Sequence, residues 1–344
     1  MRKIGAVWVI CILVLGIVGC SGKQNQENDG YSESFFAMDT YITFTVYGVD
    51  AETAVLAAED ELNELEGLWS VTDVNSDVYA VNHSNGQAVT VDRKTAELLS
   101  FAFHMAEKTD GALEPTIYPV LATWGFTTGE NHIPSETELE QILKMVGYDK
   151  VRLGDNRIQV ETGSMIDLGA VGKGYAGDEA ARILRERGIT SAMLDIGGNI
   201  QTVGSKPDGS DWNIGLKDPF SGGVLGVLQV SDVAVVTSGN YERFFTGEDG
   251  RVYGHVIDPK TGHPVENGIA SVSVIAGEGK LCDALSTALF VMGLERAQDY
   301  WRQHQEFDMI LIMEDGSVYL TEGIKNRFTL GSDYMGMEIH VIEN

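Results

Sequence analysis

The sequence predicts an α+β fold of mixed, largely antiparallel sheets with packed helices. Three observations carry that expectation. Short apolar–polar alternations of strand period recur between residues 41 and 321, amphipathic stretches of helical period separate them, and the chain holds 40 Gly against 7 Pro. Such a glycine excess favours tight turns and close backbone approaches over disordered linkers. No internal repeat or shift of composition divides residues 35–344, which are expected to form one domain.

The elements follow in chain order. Residues 1–19 read as a signal peptide: Arg2 and Lys3 form a basic start, Ile4 to Val18 is an apolar run short for a membrane span, and Gly19 leads into Cys20. The pattern resembles a bacterial lipobox, so Cys20 is expected to become the lipid-bearing N-terminus of a protein held outside the cytoplasm. Residues 20–34 read as a polar tether. Tyr41–Tyr47 alternates as a half-buried strand. Asp50 opens a helix with Val55, Leu62, Leu65 and Trp69 on one stripe, and Asp92–Thr109 forms another with Leu98, Leu99, Ala102 and Met105 inward, ended by Gly111. Ser135–Glu138 is a capping box ahead of Leu139, Ile142, Leu143 and Val146, with Gly147 as stop. Arg157–Val160 and Met165–Leu168 read as short strands, Gly172–Arg187 as a helix, and Ala192–Ile196, Trp212–Leu216, Val224–Val230 and Val233–Val236 as strands. Asp283–Met292 and Leu294–His304 are expected helices. Met309–Met313 and Ser317–Thr321 form a hairpin around Glu314-Asp315-Gly316.

Charge narrows the function. The formal net charge is −27, and loss of Arg2 and Lys3 makes the folded part more negative. That surface repels nucleic acid and anionic lipid heads. Membrane attachment then falls to the lipid, and an anionic substrate needs a metal or a placed lysine. Of the 3 Cys, Cys11 leaves with the signal and Cys20 carries lipid, so Cys282 has no intramolecular disulfide partner. No C-x-x-C or H-x-x-x-H pattern suggests structural zinc.

Three constellations carry chemistry. Gly172, Gly174 and Gly177 have the G-x-G-x-x-G spacing of a dinucleotide turn, and Asp195 follows at about the distance of a ribose-binding acid. Lys173 inside the turn, the mid-chain position and the antiparallel surroundings count against a nicotinamide-dependent oxidoreductase. Gly174 after Lys173 breaks the P-loop pattern. Helix N-terminal amides beside a lysine still attract a phosphate, and Asp167 can accept a hydrogen bond from a base, ribose or flavin ring. The plain alternative is that the glycines only permit close packing. Asp283 and Thr287, four apart on one helix face, offer hard oxygen donors suited to Mg²⁺, unless Asp283 merely caps its helix. His255 precedes the Asp258–Gly262 turn and is a candidate proton acceptor, with Asp258 as a rival base.

Taken together, Asp167–Ala176, Ser238–Tyr241, His255–Pro259 and Asp283–Thr287, with Met38–Thr40 and Gly111–Thr116, resemble the signature blocks of the ApbE family of FAD:protein FMN transferases. The resemblance spans about residues 35 to 335 in the right order. It implies a fold related to the T-fold, and Mg²⁺-dependent transfer of FMN from FAD to a threonine hydroxyl of an acceptor protein, forming a phosphoester and releasing AMP. Many members are lipoproteins, and the acceptor is expected to be a membrane-associated or extracytoplasmic electron-transfer protein. Block by block, the resemblance implies Asp283, Thr287, the Ala170 carbonyl and, secondarily, Ser286 as metal ligands. It implies Met38, Thr72, Ala112, Leu113, Glu114, Asp167, Lys173 and Ile257 around FAD, and His255 as base and cofactor contact. Two positions depart: Glu114 stands where members usually have Asp, and Ser70-Val71-Thr72 lacks the usual aromatic residue. The rival readings are an FAD-binding lipoprotein without transfer and an FAD pyrophosphatase.

Overall fold

The computed structural model describes residues 30–344. The expected signal peptide, Cys20 and most of the tether lie outside the described residues. A nine-stranded sheet runs in the order β1 (Tyr31–Ala37), β2 (Thr40–Tyr47), β6 (Ser191–Ile196), β7 (Asn199–Val203), β10 (Ala234–Gly239), β13 (Ile269–Ala276), β14 (Asp308–Met313), β15 (Val318–Thr321) and β17 (Ile339–Ile342). Its pairings are antiparallel except β15 with β17. Smaller sheets are β3 (Val89–Thr90), β5 (Arg157–Val160) and β4 (Val151–Gly154); β16 (Phe328–Leu330), β9 (Val224–Val230) and β8 (Trp212–Lys217); and the hairpin β11 (Phe244–Thr246) with β12 (Val252–Gly254). The helices are α1 (Ala51–Trp69), α2 (Asp77–Asn82), α3 (Arg93–Lys108), α4 (Tyr118–Trp124), α5 (Glu136–Ile142), α6 (Gly172–Glu186), α7 (Gly279–Met292) and α8 (Leu294–Gln303). The mixed, largely antiparallel expectation is met.

Both faces of the central sheet are covered. On β14, Met309 and Leu311 turn into the cluster shared with α1, α6 and α7, while Ile310 and Ile312 turn into the cluster shared with β8, β9 and β16. Each such side chain contributes roughly 1.5–3 kcal/mol by leaving water. Two-sided burial also explains why β13 escapes sequence reading: nearly all of Ile269–Ala276 is buried, so no polar alternation marks it. The helix stripes hold as expected, with Val55, Leu62, Leu65 and Trp69 buried in α1 and Leu98, Leu99, Ala102 and Met105 in α3. Asp92 caps α3 by accepting the Lys94 amide at 2.7 Å, and the Ser135–Glu138 capping box is formed.

The structure corrects several expectations. β1 begins at Tyr31, inside the segment read as tether, because it pairs with β2 along its whole length. Met165–Leu168 is not a strand; Met165 makes a single parallel bridge to Ile117. α7 starts at Gly279, a turn before the expected Asp283. β6 lies antiparallel to both β2 and β7. A dinucleotide turn needs a strand before its helix and a parallel partner after it. Neither is present, which removes the nicotinamide reading.

Candidate active site

The site forms where the N-terminus of α6 meets α7. The glycines there serve contact between backbones. A Cβ on Gly174 would collide with the Gly279 carbonyl oxygen and stand 2.7 Å from Asp283 Cβ, and a Cβ on Gly279 would stand 2.5 Å from the Gly174 oxygen. By contrast, a Cβ on Gly172 would meet Met38 and Trp69 only at 3.7 Å, an ordinary contact. Gly174→Ala is therefore expected to push α6 from α7, at a cost of about 1–3 kcal/mol. Gly172→Ala should be mild. Thermal melting of the two variants side by side checks this, and equal melting temperatures would refute the packing account.

That close approach sets the electrostatics. The Gly174 amide, third in α6 and so without an acceptor inside the helix, donates to Asp283 Oδ2 at 2.8 Å. Asp283 is 4% exposed. Among the described residues, no backbone amide donates to Ala170 O. Asp283 is not the cap of α7. That work falls to Asp178 of α6, whose carboxylate oxygens accept the Gly279 and Lys280 amides at 2.6 and 3.0 Å. Burial raises Asp178 to about 6 against those hydrogen bonds. Ser238 Oγ of β10 lies 2.8 Å from Ser286 Oγ and 3.3 Å from Thr287 Oγ1.

His255 directly follows β12. Its Nδ1 lies 3.1 Å from the Arg243 carbonyl, which also accepts the His255 amide at 3.0 Å. A carbonyl only accepts, so Nδ1 carries the proton and Nε2 keeps its lone pair. Burial, helped by the positive charges of Arg243 and Lys173, lowers the imidazole to about 4, so the ring is neutral at physiological pH. The same two cations act on Asp167, although burial outweighs them and raises its carboxyl above the usual range. Asp167 Oδ1 accepts the Gly169 amide at 2.7 Å. Lys173, Asp167, Arg243 and His255 thus share one electrostatic neighbourhood at the start of α6.

Other expected residues have more local roles. Met38 occupies the β1–β2 turn with φ 54 and reaches α6 beside Gly172. Ala112 and Leu113 are buried in the main core. Glu114 spends Oε1 on its own loop, accepting the Thr116 amide at 2.9 Å and hydroxyl at 2.6 Å, and Oε2 on the distant Tyr148 amide at 3.0 Å. Burial raises its carboxyl above the usual range. The loop does approach the site, since the Asp167 amide donates to Pro115 O at 2.8 Å. Thr72 is exposed after α1, and its hydroxyl and amide turn to Ser70. Ile257 packs with Trp124, Phe245 and Tyr253. Ser286 is fully buried, donating to Asp283 O at 3.0 Å and meeting Ser238. Those bonds already occupy its hydroxyl. Asp258 Oδ1 accepts the Lys260 amide at 2.9 Å, so this rival base closes its own turn.

Sequence reading missed Asp178 and Arg243. Arg243 lies two residues past the Ser238–Tyr241 block, and its only sequence signal is a positive charge in a very acidic chain. Among the described residues, no group of three or more His, Cys, Asp or Glu side chains gathers around a common point. The donor set here is different: one buried carboxylate, a free carbonyl one turn upstream and the Thr287 hydroxyl. These hard oxygens fit Mg²⁺.

A helix N-terminus with a lysine in its first turn, a buried carboxylate on its Gly174 amide and a neutral imidazole held by the Arg243 carbonyl suit a protein that handles a phosphate ester. Comparison with known proteins makes this particular. The chain belongs to the ApbE family, whose model matches residues 38–311. It is 33% identical over 342 residues to an FAD:protein FMN transferase of Treponema pallidum, covering 93% of both chains. It is 30% identical over 315 residues to one of Klebsiella pneumoniae, covering 90% of this chain and 97% of that one. The fold matches the crystal structure of an ApbE protein of Thermotoga maritima with TM-score 0.82 and 34% identity, covering 87% of this chain and 99% of that one. It matches the flavin transferase ApbE of Vibrio cholerae with TM-score 0.79 and 26% identity, covering 87% and 99%.

Proposed function

We propose that this chain transfers FMN from FAD to a threonine hydroxyl of an acceptor protein, with Mg²⁺, releasing AMP. The observation that carries the reading is the meeting of Asp283 with the Gly174 amide at the start of α6, where Lys173 and His255 also act. In the reaction the threonine oxygen attacks the FMN phosphorus. The bond from that phosphorus to the bridging oxygen breaks, AMP leaves with the oxygen, and the threonine proton passes to His255 Nε2. Lys173 holds the pyrophosphate against a net charge of −27. Asp283, Thr287 and the Ala170 carbonyl would hold Mg²⁺, which would neutralise charge developing on the phosphate oxygens. Arg243 O fixes the ring that receives the proton.

The test is incubation with FAD and Mg²⁺, with and without an acceptor domain. AMP together with a flavin-fluorescent acceptor band on a denaturing gel supports transfer. AMP with free FMN in both tubes means a pyrophosphatase, and retained FAD without AMP means a binding protein.

The same reading puts the protein outside the cytoplasm on a lipid at Cys20. Among the described residues no helix is long and apolar enough to cross a membrane. Cys20→Ala is expected to block processing and leave the protein without lipid, as mass spectrometry of the mature N-terminus would show. An unmodified wild-type Cys20 would refute the anchor.

A further inference from the structure

Lys173 is a single side-chain cation for a pyrophosphate that carries two negative charges, and one nearby guanidinium is so far unused. Arg243 stands opposite His255, where the β11–β12 pairing of Phe244 with Gly254 extends by one residue pair. Its side chain is exposed. Among the described residues it makes no ion pair, although Asp and Glu number 51 against 24 Lys and Arg. Its charge is felt at Asp167, before α6, and at His255, after β12. Residues so opposed in an antiparallel pair present their side chains to the same face, so the guanidinium lies on the side of the hairpin that carries the imidazole.

We propose that Arg243 binds a phosphate of FAD, gripping the pyrophosphate from the His255 side while Lys173 holds it from α6. The proposal rests on the FAD reading above. A guanidinium suits this place because its paired N–H groups match two phosphate oxygens at once. The arrangement also couples substrate to base: the residue whose side chain holds the phosphate has the backbone carbonyl that sets the imidazole tautomer. Attacked phosphorus and proton acceptor are then positioned by one residue.

Titrations of wild type, Arg243→Gln and Arg243→Lys with FAD, ADP and riboflavin test this by binding alone. ADP has the pyrophosphate without the ring, and riboflavin the ring without phosphate. In Arg243→Gln the dissociation constants for FAD and ADP are expected to rise ~10–100-fold, the worth of a charged hydrogen bond. Riboflavin should be unaffected, and Arg243→Lys should recover part of the loss. Equal weakening of FAD and riboflavin, or no weakening of FAD and ADP, overturns the proposal. A wild-type protein that binds ADP but not FAD overturns the FAD reading with it, whereas wild-type FAD binding with an indifferent Arg243→Gln overturns the Arg243 assignment alone.

Discussion

Asp283→Asn is expected to lower FMN transfer by roughly 10²–10³-fold or more while the protein stays folded. The carboxylate sits 4% exposed at the α6 N-terminus and has two roles that this variant separates. Its Oδ2 satisfies the Gly174 amide, and an asparagine oxygen can do the same. Its charge is the strongest donor in the Mg²⁺ set, and asparagine lacks it. Asp283→Ala removes both, leaving a buried donor without a partner at about 1–3 kcal/mol. Its melting temperature should therefore fall where that of Asp283→Asn does not. Measuring Mg²⁺-dependent transfer and thermal melting for the pair settles the matter. An Asp283→Asn enzyme working at the wild-type rate would show that the carboxylate serves packing alone.

His255→Ala is expected to reduce transfer at saturating FAD by ~10²–10⁴-fold, the usual worth of a general base. FAD binding should change little, because the imidazole is assigned the threonine proton. The pH dependence has a definite sign. A base works unprotonated, so the rate rises with pH through the histidine pKa and then levels. Burial, with Arg243 and Lys173, puts that rise near pH 4 in the free enzyme, below the ordinary histidine range. Bound pyrophosphate adds negative charge and moves the limb upward, so the kcat profile should turn at higher pH than kcat/KM. In ligand-free protein, proton NMR should show one imidazole that stays neutral down to pH 5 and is missing in His255→Ala. Asp258→Asn should keep its turn and near-normal transfer, since its oxygen still accepts the Lys260 amide. If His255→Ala transfers at the wild-type rate while Asp258→Asn does not, the base has been misassigned.

What the sequence determined is what acts over a few residues. The buried stripes of α1 and α3 and the Ser135–Glu138 box arise between neighbours a few positions apart, so periodicity and residue type reveal them. The charge balance and the ordered family blocks were likewise legible without coordinates. The tertiary structure decided the rest. Gly174 looks like part of a nucleotide turn until Gly279 is seen against it, and Asp283 looks like a helix cap until Asp178 is seen capping α7 instead. Gly174 and Asp283 are 109 positions apart, and only the packing of α6 on α7 joins them. The same holds for Arg243 and His255, brought opposite each other by a hairpin whose inner face is held on Trp124. Such pairings leave no local pattern, because what selects them is backbone contact and desolvation between distant segments. Those forces exist only once the chain has folded.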